Sequence, residues 1–295
     1  MRYVIVILLP LLSFLLTAVA SAGTGDGLLV GFKGGVNFSV VIPTQSYTVI
    51  QSLTGTGTSQ AQKEYGPFFR NTGYQYGFVG MIRVRKAFLV SIEPSFSSYV
   101  MKYQARSTWY NTSTPTDRIE ITTKFTDNLR YFEIPLEVRY EIGTGQIRPY
   151  LAAGFFYGML TGALGSAKSS TVQYINDVAI NLENNESAGD ISGNYITTRL
   201  ATFPGVGLFV EFSRVVLFAE ADYYISLHNV VNESARYSNQ QSVGSSYNVP
   251  DNLKLDNLVI NIGVLFRING SLGNQGSGRG KGSAVECPPT INRKH

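Results

Sequence analysis

Residues 130–142 read RYFEIPLEVRYEI, and the order of these side chains decides the fold. Large apolar side chains occupy every second position, and the positions between them carry three glutamates and an arginine. An alternation with period two predicts a β-strand and not a helix. One face of this strand is therefore apolar and aromatic, and the opposite face is charged.

The same alternation recurs along the chain. It predicts seven further strands, at residues 28–42, 72–85, 88–100, 147–163, 197–214, 215–229 and 255–268. Each of the eight segments has at least the roughly 9–11 residues that a tilted strand needs to cross a bilayer. The sequence thus predicts an all-β fold of eight antiparallel strands.

The connections between these strands alternate in length. Short connections lie at 85–87, 143–146 and 213–214, and long polar ones lie at 43–71, 104–127, 164–196 and 230–254. Barrels of bacterial outer membranes have short turns at one end and long loops at the other. The pattern favours an eight-stranded, antiparallel, up-and-down transmembrane β-barrel spanning residues 23–268.

Periodicity alone does not tell which face points inward. In a soluble β-barrel the apolar face would line the interior, around a ligand cavity, whereas in a membrane barrel it would face lipid. Strand length and the tyrosines near strand ends (Tyr74, Tyr140, Tyr223 and Tyr224) favour the apolar face outward. An open sheet is excluded in lipid, because its unpaired edge would be too costly.

With the apolar face outward, the charged residues point into the lumen. The expected lumen network consists of Lys33, Arg83, Glu93, Glu133, Glu137, Arg139, Arg148, Arg199, Glu211, Glu220, Asp222 and Arg267, with Arg85 and Glu141 on the same faces. Positive and negative charges nearly balance in this set. Because an eight-stranded barrel has room only for its own side chains, we expect a structural plug of ion pairs; an ion path is the alternative.

Both ends of the sequence lie outside the predicted barrel. Residues 1–22 combine Arg2, an apolar run and small residues suited to cleavage, which is typical of a secretory signal peptide. Residues 269–295 form a glycine-rich tail, which we expect to be a flexible periplasmic segment or a tether to a periplasmic partner. These features predict export to the bacterial outer membrane.

Composition and side-chain chemistry argue against several classes of function. The chain has 295 residues with a net charge of +4, which gives no electrostatic footprint for nucleic acid. Cys287 is the sole cysteine and cannot form an intrachain disulfide. No cofactor or metal site is expected. A surface hydrolase would have to use His228 with Ser226, but same-face strand neighbours lie about 6.6–7 Å apart along the strand.

Three stretches carry a resemblance to a known family. They are GFKGGVNFS at 31–39, RYFEIPL at 130–136 and RPYLAAG at 148–154. In these stretches the chain resembles the PorT-like outer-membrane β-barrel family of the Bacteroidetes group, from which it departs by its long tail. The resemblance implies an eight-stranded outer-membrane barrel and, for the namesake members, an accessory part in type IX protein secretion.

We therefore expect a non-enzymatic barrel with a structural or interaction role exercised through its surface loops. An accessory role in a secretion machinery is the alternative. Its expected surroundings are outer-membrane lipid and, as a candidate partner, a periplasmic or secretion-machinery protein. The sequence does not indicate an oligomeric state.

Overall fold

The computed structural model describes residues 28–47, 59–237 except 112 and 115, and 249–268. The predicted signal peptide at 1–22 and the tail at 269–295, with Cys287, lie outside the described residues. Within the described part, no helix is long and apolar enough to cross a bilayer.

The described part of the chain forms an 11-stranded antiparallel sheet. In chain order its strands are β1 Leu28–Gln45, β2 Ser59–Tyr65, β3 Thr72–Arg85, β4 Phe88–Ile92, β5 Ser95–Tyr110, β6 Arg118–Glu141, β7 Ile147–Ile175, β8 Val178–Asp190, β9 Thr198–Glu211, β10 Val215–Ser226 and β11 Asn252–Ile268. Short 3-10 turns lie at Phe68–Arg70, Ser192–Asn194 and Glu233–Ala235.

Antiparallel pairing closes these strands into a ring. β1 pairs with β3 on one side and with β11 on the other, so the first and last strands are neighbours. The ring continues through β6, β7, β9 and β10. β4 and β5 share one position, because both pair with β3 and with β6. The ring therefore passes through eight positions, and the end that carries Leu28 and Ile268 is called the near end below.

Pro135 shows why β4 and β5 are separate. The predicted strand 88–100 is broken at Glu93–Pro94, and the Glu93 N–H donates to the Pro135 carbonyl at 3.1 Å. Pro135 has no N–H, and the edge of β6 where this donor is missing faces the break. On the other edge, the register of Pro135 with β7 is continuous. Pro135 therefore lies within a continuous strand, and Pro149 lies near the start of β7, as its third residue.

The predicted long loops at 104–127 and 164–196 are largely strands. The β5–β6 pairing runs to Tyr110 and Arg118, and β7 continues to Ile175 before β8 returns beside it. Serine, threonine and charged residues replace the apolar stripe there, so a search for apolar alternation misses the strands. β2 pairs with β5 at the end of the ring opposite the near end, which is called the far end below. The strands there form a far-end sheet that projects beyond the ring.

The two faces of the ring differ in polarity in the direction expected for a membrane barrel. Phe78 is 61% exposed and Ile262 is 68% exposed on the outer wall, whereas Asn261, next to Ile262, is fully buried inside. Buried inward residues include many charged and amide side chains. The expectation of an outward apolar face agrees with this arrangement, and that of a soluble barrel with an apolar interior does not.

Candidate functional site

The centre of the lumen is built around the guanidinium of Arg139. It lies 2.7 Å from a carboxylate oxygen of each of Glu93, Glu137 and Glu220. Lys33 adds a second cation, with its Nζ 2.7 Å from Glu93 Oε2. All five side chains are buried. Because β1, β6, β10 and the break between β4 and β5 each contribute, this central cluster ties opposite parts of the wall together.

Aromatic rings support the same guanidinium. Its Cζ lies 5.4 Å from the ring centre of Tyr150 and 5.6 Å from that of Phe218, within reach of a cation–π interaction. The Tyr150 hydroxyl donates to Glu220 Oε2 at 2.8 Å. Tyr150 and Phe218 also belong to an apolar cluster that fills the near-end half of the lumen. Apolar and aromatic side chains therefore pack against the ion pairs in this part of the lumen.

Acids outnumber bases in the central cluster. Among the described residues, this cluster holds the two bases Lys33 and Arg139 with four acids, Glu93, Glu137, Glu220 and Asp222. Asp222 is 1% exposed, and its Oδ1 has no hydrogen-bond partner within the described part of the chain. An unpaired buried carboxylate oxygen destabilises the folded state. Among the described residues, Asp222 Oδ1 thus joins Glu137 Oε1 and Glu220 Oε1 as buried carboxylate oxygens of this cluster that lack a hydrogen-bond partner.

The three glutamates around Arg139 also raise the question of a metal. One ligand atom of each of Glu93, Glu137 and Glu220 lies within 4.8 Å of the others. The guanidinium of Arg139 already contacts all three carboxylates at 2.7 Å. A cation is therefore built into this position by the chain itself, and an added metal ion would have to displace it.

A second group lies closer to the far end. Glu133 accepts hydrogen bonds from Ser97 Oγ at 2.7 Å and from the Tyr99 hydroxyl at 2.8 Å. Arg199 lies 3.6 Å from Glu133, donates to the Leu255 carbonyl at 2.6 Å and faces the Tyr99 ring at 4.5 Å. The Glu133–Arg199 distance is longer than the 2.7 Å contacts of Arg139, and the Leu255 carbonyl and the Tyr99 ring also contact the Arg199 guanidinium.

The near-end rim carries a chain of alternating charges. Arg83 donates to Glu141, with one Nη2–Oε1 distance of 3.0 Å, and Arg148 lies 3.2 Å from the same Glu141. Arg148 also pairs with Glu211, which in turn pairs with Arg267. Apart from the buried Glu141, these groups are partly exposed, so each pair contributes less than its counterpart in the centre.

The structure places all twelve predicted lumen residues on the inner wall, in the three groups just described. Arg85, which the alternation also assigned to the lumen, is exposed instead. The register between β3 and β4 shifts between Arg83 and Arg85, and the alternation ends there. Tyr224 is likewise not part of an outer aromatic belt, because it is buried in the lumen beside Phe156 and Phe203.

The candidate hydrolase residues do not form a catalytic arrangement. The Ser226 hydroxyl donates to the backbone carbonyl of His228 at 3.3 Å, and the His228 ring nitrogen lies 3.2 Å from the Thr198 carbonyl. A serine nucleophile would instead need the imidazole as its hydrogen-bond partner. This geometry gives no support to a hydrolase that uses His228.

Sequence reasoning missed the buried tyrosines of the lumen. Tyr99, Tyr131 and Tyr150 are each at most 1% exposed and surround the two buried arginines. The signal was present, because Tyr131 and Tyr150 occupy inward positions by the same alternation that placed Glu133 and Arg148. Tyrosine was interpreted as a residue of the outer wall, although its hydroxyl also suits a polar interior.

The tip of the far-end sheet is held by a carboxylate. Asp117 accepts the Asn176 N–H at 2.9 Å and the Thr114 hydroxyl at 2.9 Å. These two hydrogen bonds, the backbone one first, lower the pKa of the Asp117 carboxyl. Arg118 pairs with Asp177 at 2.6 Å across the same gap. The β7–β8 turn is thus fastened to the connection between β5 and β6.

Comparisons with known proteins agree with this architecture. A family model described as "Outer membrane protein beta-barrel domain" matches residues 21–232. No curated protein matches the chain.

Similar solved structures include Neisserial surface protein A (NspA), with 11% identity, TM-score 0.32, and 83% of this chain and all of that chain covered. The outer membrane protein OprG from Pseudomonas aeruginosa has 12% identity and TM-score 0.31, over 83% of this chain and 98% of that chain. The translocator domain of autotransporter NalP from Neisseria meningitidis has 10% identity and TM-score 0.25, over 88% and 95%. At these scores the structural likenesses support no further conclusion.

Proposed function

Because the chain belongs to the outer membrane protein beta-barrel domain family, we propose that it spans the bacterial outer membrane as an eight-stranded up-and-down barrel. In this proposal the near end faces the periplasm and the far-end sheet faces the exterior. The barrel is a non-enzymatic protein with a structural or interaction role, and its lumen is closed by its own ion pairs.

The observation that carries this proposal is the polarity of the wall. The outer wall exposes Phe32, Phe78 and Ile262 at 55–68%, while Arg139 and Arg199 are fully buried inside. Exposed apolar surface is costly in water and stable against lipid. Buried charges require partners, which the central cluster supplies. A soluble protein would have the opposite arrangement.

An interaction role is supported by the far-end sheet. The β5–β6 and β7–β8 hairpins extend the wall well past the apolar belt, and ordered pairing continues to their tips. An ordered, polar projection offers a defined surface to a partner. The PorT-like relationship and its link to type IX secretion stay predictions from three short stretches of sequence.

Two experiments test the proposal. Cell fractionation, with gels of boiled and unboiled protein, should place the chain in the outer membrane with faster migration when unboiled. In planar bilayers, the wild-type protein and the Glu133→Ala and Arg139→Ala variants should all show no single-channel current, although both variants are less stable. Periplasmic solubility, or a clear current from a variant, would contradict the corresponding part of the proposal.

A further inference from the structure

A group of cations lies on the outer wall just past the apolar belt. The ring pair Phe96 and Phe132, with centroids 5.1 Å apart, marks the belt on β5 and β6. Further toward the far end, outward positions of these strands carry Lys102 and Lys124. Thr126 is the register partner of Lys102, so Lys124 is its diagonal neighbour on the same face, about 7–8 Å away between Cβ atoms.

A third cation comes from the 3-10 turn. Arg70 ends this turn and joins Lys102 and Lys124 in lining a cavity of about 300 Å³. Glu64 is the acidic residue of the lining, and its carboxylate accepts a hydrogen bond from Gln104 Nε2 at 2.6 Å. We call this cavity the basic pocket. Its lining carries three positive charges against one negative charge.

The basic pocket has an unbalanced charge. Within the described part of the chain, none of the three cations forms an ion pair, and all three side chains are exposed. Neighbouring like charges on one sheet face destabilise the folded state. An anion in the pocket would remove this repulsion, and a phosphate would do so best, because it accepts several charge-assisted hydrogen bonds at once.

The position of the pocket indicates the source of the anion. Phe69 immediately precedes Arg70, is 74% exposed, and packs on Phe68 and Phe38 with centroids 4.7 and 5.9 Å away. Tyr76 continues this aromatic surface toward Phe96, at 5.8 Å. Transmembrane barrels carry girdles of exposed aromatic side chains at both membrane–water interfaces. The pocket thus lies where lipid phosphates lie, directly beside surface that suits acyl chains.

We propose that the basic pocket binds the phosphate of an anionic lipid in the outer leaflet, with the acyl chains against the aromatic surface around Phe69 and Tyr76. This inference rests on the proposed orientation of the barrel in the outer membrane. A phosphate group and apolar chains are both needed, so the ligand is a membrane lipid and not free phosphate. Basic pockets at membrane surfaces bind lipid headgroups by the same chemistry.

The test uses the full-length folded protein in a neutral detergent, with binding of diphosphorylated lipid A measured by native mass spectrometry. The variant is Lys102→Gln with Lys124→Gln, and the matched control is Arg85→Gln with Lys86→Gln, which removes two exposed cations at the near end. At about 1 kcal/mol for each cation near the membrane surface, the double variant should bind roughly 30-fold more weakly. The control should bind like the wild type.

Two further probes identify the source of the phosphate. Dephosphorylated lipid A should bind much more weakly than the diphosphorylated form, and inorganic phosphate at the same concentration should not compete. Equal binding of the dephosphorylated lipid, competition by inorganic phosphate, or unchanged binding by the double variant would each overturn the inference.

Failure of this inference is distinguishable from failure of the proposed function. Each variant is also run boiled and unboiled to show that it is a folded barrel, and the wild type is fractionated. An outer-membrane barrel whose lipid binding is independent of Lys102 and Lys124 refutes the lipid site alone. A protein that is absent from the outer membrane refutes both.

Discussion

Replacing Arg139 by methionine tests the ion-paired lumen most severely. The substitution keeps an unbranched side chain of similar length and removes the cation that contacts three carboxylates at 2.7 Å. Of the described bases in the central cluster, Lys33 alone would then remain beside Glu93, Glu137, Glu220 and Asp222. Breaking a buried pair by removing one partner costs about 3–5 kcal/mol. Because three carboxylates lose their partner together, we expect a loss near 5 kcal/mol in the free energy of unfolding.

The assay is urea unfolding of the protein folded into lipid vesicles, followed by the fraction that migrates as folded on unboiled gels. With a typical slope of about 2 kcal/mol per molar urea, the midpoint should fall by about 2–3 M. Arg85→Met is the matched control, because Arg85 is an exposed arginine of β3, and it should change the free energy of unfolding by no more than about 0.5 kcal/mol.

A multiple variant separates charge from packing. Adding Glu137→Gln and Glu220→Gln to Arg139→Met removes two of the stranded charges and should recover at least half of the loss, because a neutral replacement of a buried ionic group is often tolerated. If Arg139→Met is as stable as Arg85→Met, the central cluster does not hold the barrel together. If the two glutamines recover nothing, the loss arises from packing and the electrostatic reasoning is refuted.

Three further predictions follow from single residues. Asp222→Asn should raise the free energy of unfolding by about 1 kcal/mol in the same urea assay, because it removes one buried acid from a cluster in which acids outnumber bases; a destabilised variant would refute this. Phe78→Arg should lower it by about 2–4 kcal/mol, against little change for Phe78→Leu, because the exposed Phe78 faces lipid in the proposed membrane barrel; equal effects would contradict the outward face. The pKa of Asp117 is lowered in the folded state, so its contribution is present above the unfolded value of about 3.9 and is lost as the pH falls through the folded value. Pepsin should therefore cleave the far-end turns faster toward about pH 2 in the wild type than in Asp117→Asn, normalised to each protein's rate at about pH 5; the same pH dependence in both would refute this role.

The ring and its polarity follow from the sequence where apolar side chains mark one face. The strand predicted at 72–85 has the bounds of β3, and the inward set from Lys33 to Arg267 lies in the lumen. Alternation is informative in these segments because one face is apolar and exposed and the other lines a polar interior. The same rule also places Tyr131 and Tyr150 inside.

The far end could not be predicted in the same way. Between Tyr103 and Asp127 both faces of the hairpin carry polar residues, as expected for a part of the proposed barrel that projects into water, so the alternation carries no contrast. The turn at Asn176–Asp177 did offer a signal in its residue types. Both residues adopt positive φ (51° and 62°), and asparagine and aspartate are the residue types that tolerate this in hairpin turns. The partners of individual charges also depend on strand register, which the sequence does not specify.

The central claim is that the apolar face of the ring meets lipid. Ile262→Cys and Val178→Cys are made separately in a Cys287→Ser background, and each cysteine is labelled with a fluorophore. The labelled proteins are then folded into vesicles that contain brominated lipid as the quencher. The two native side chains are 68% and 64% exposed, yet Ile262 lies on the apolar belt of β11 and Val178 at the start of β8, in the far-end turn. We expect strong quenching at position 262 and little at position 178. Equal quenching at both positions, or quenching at 178 alone, would contradict the membrane barrel.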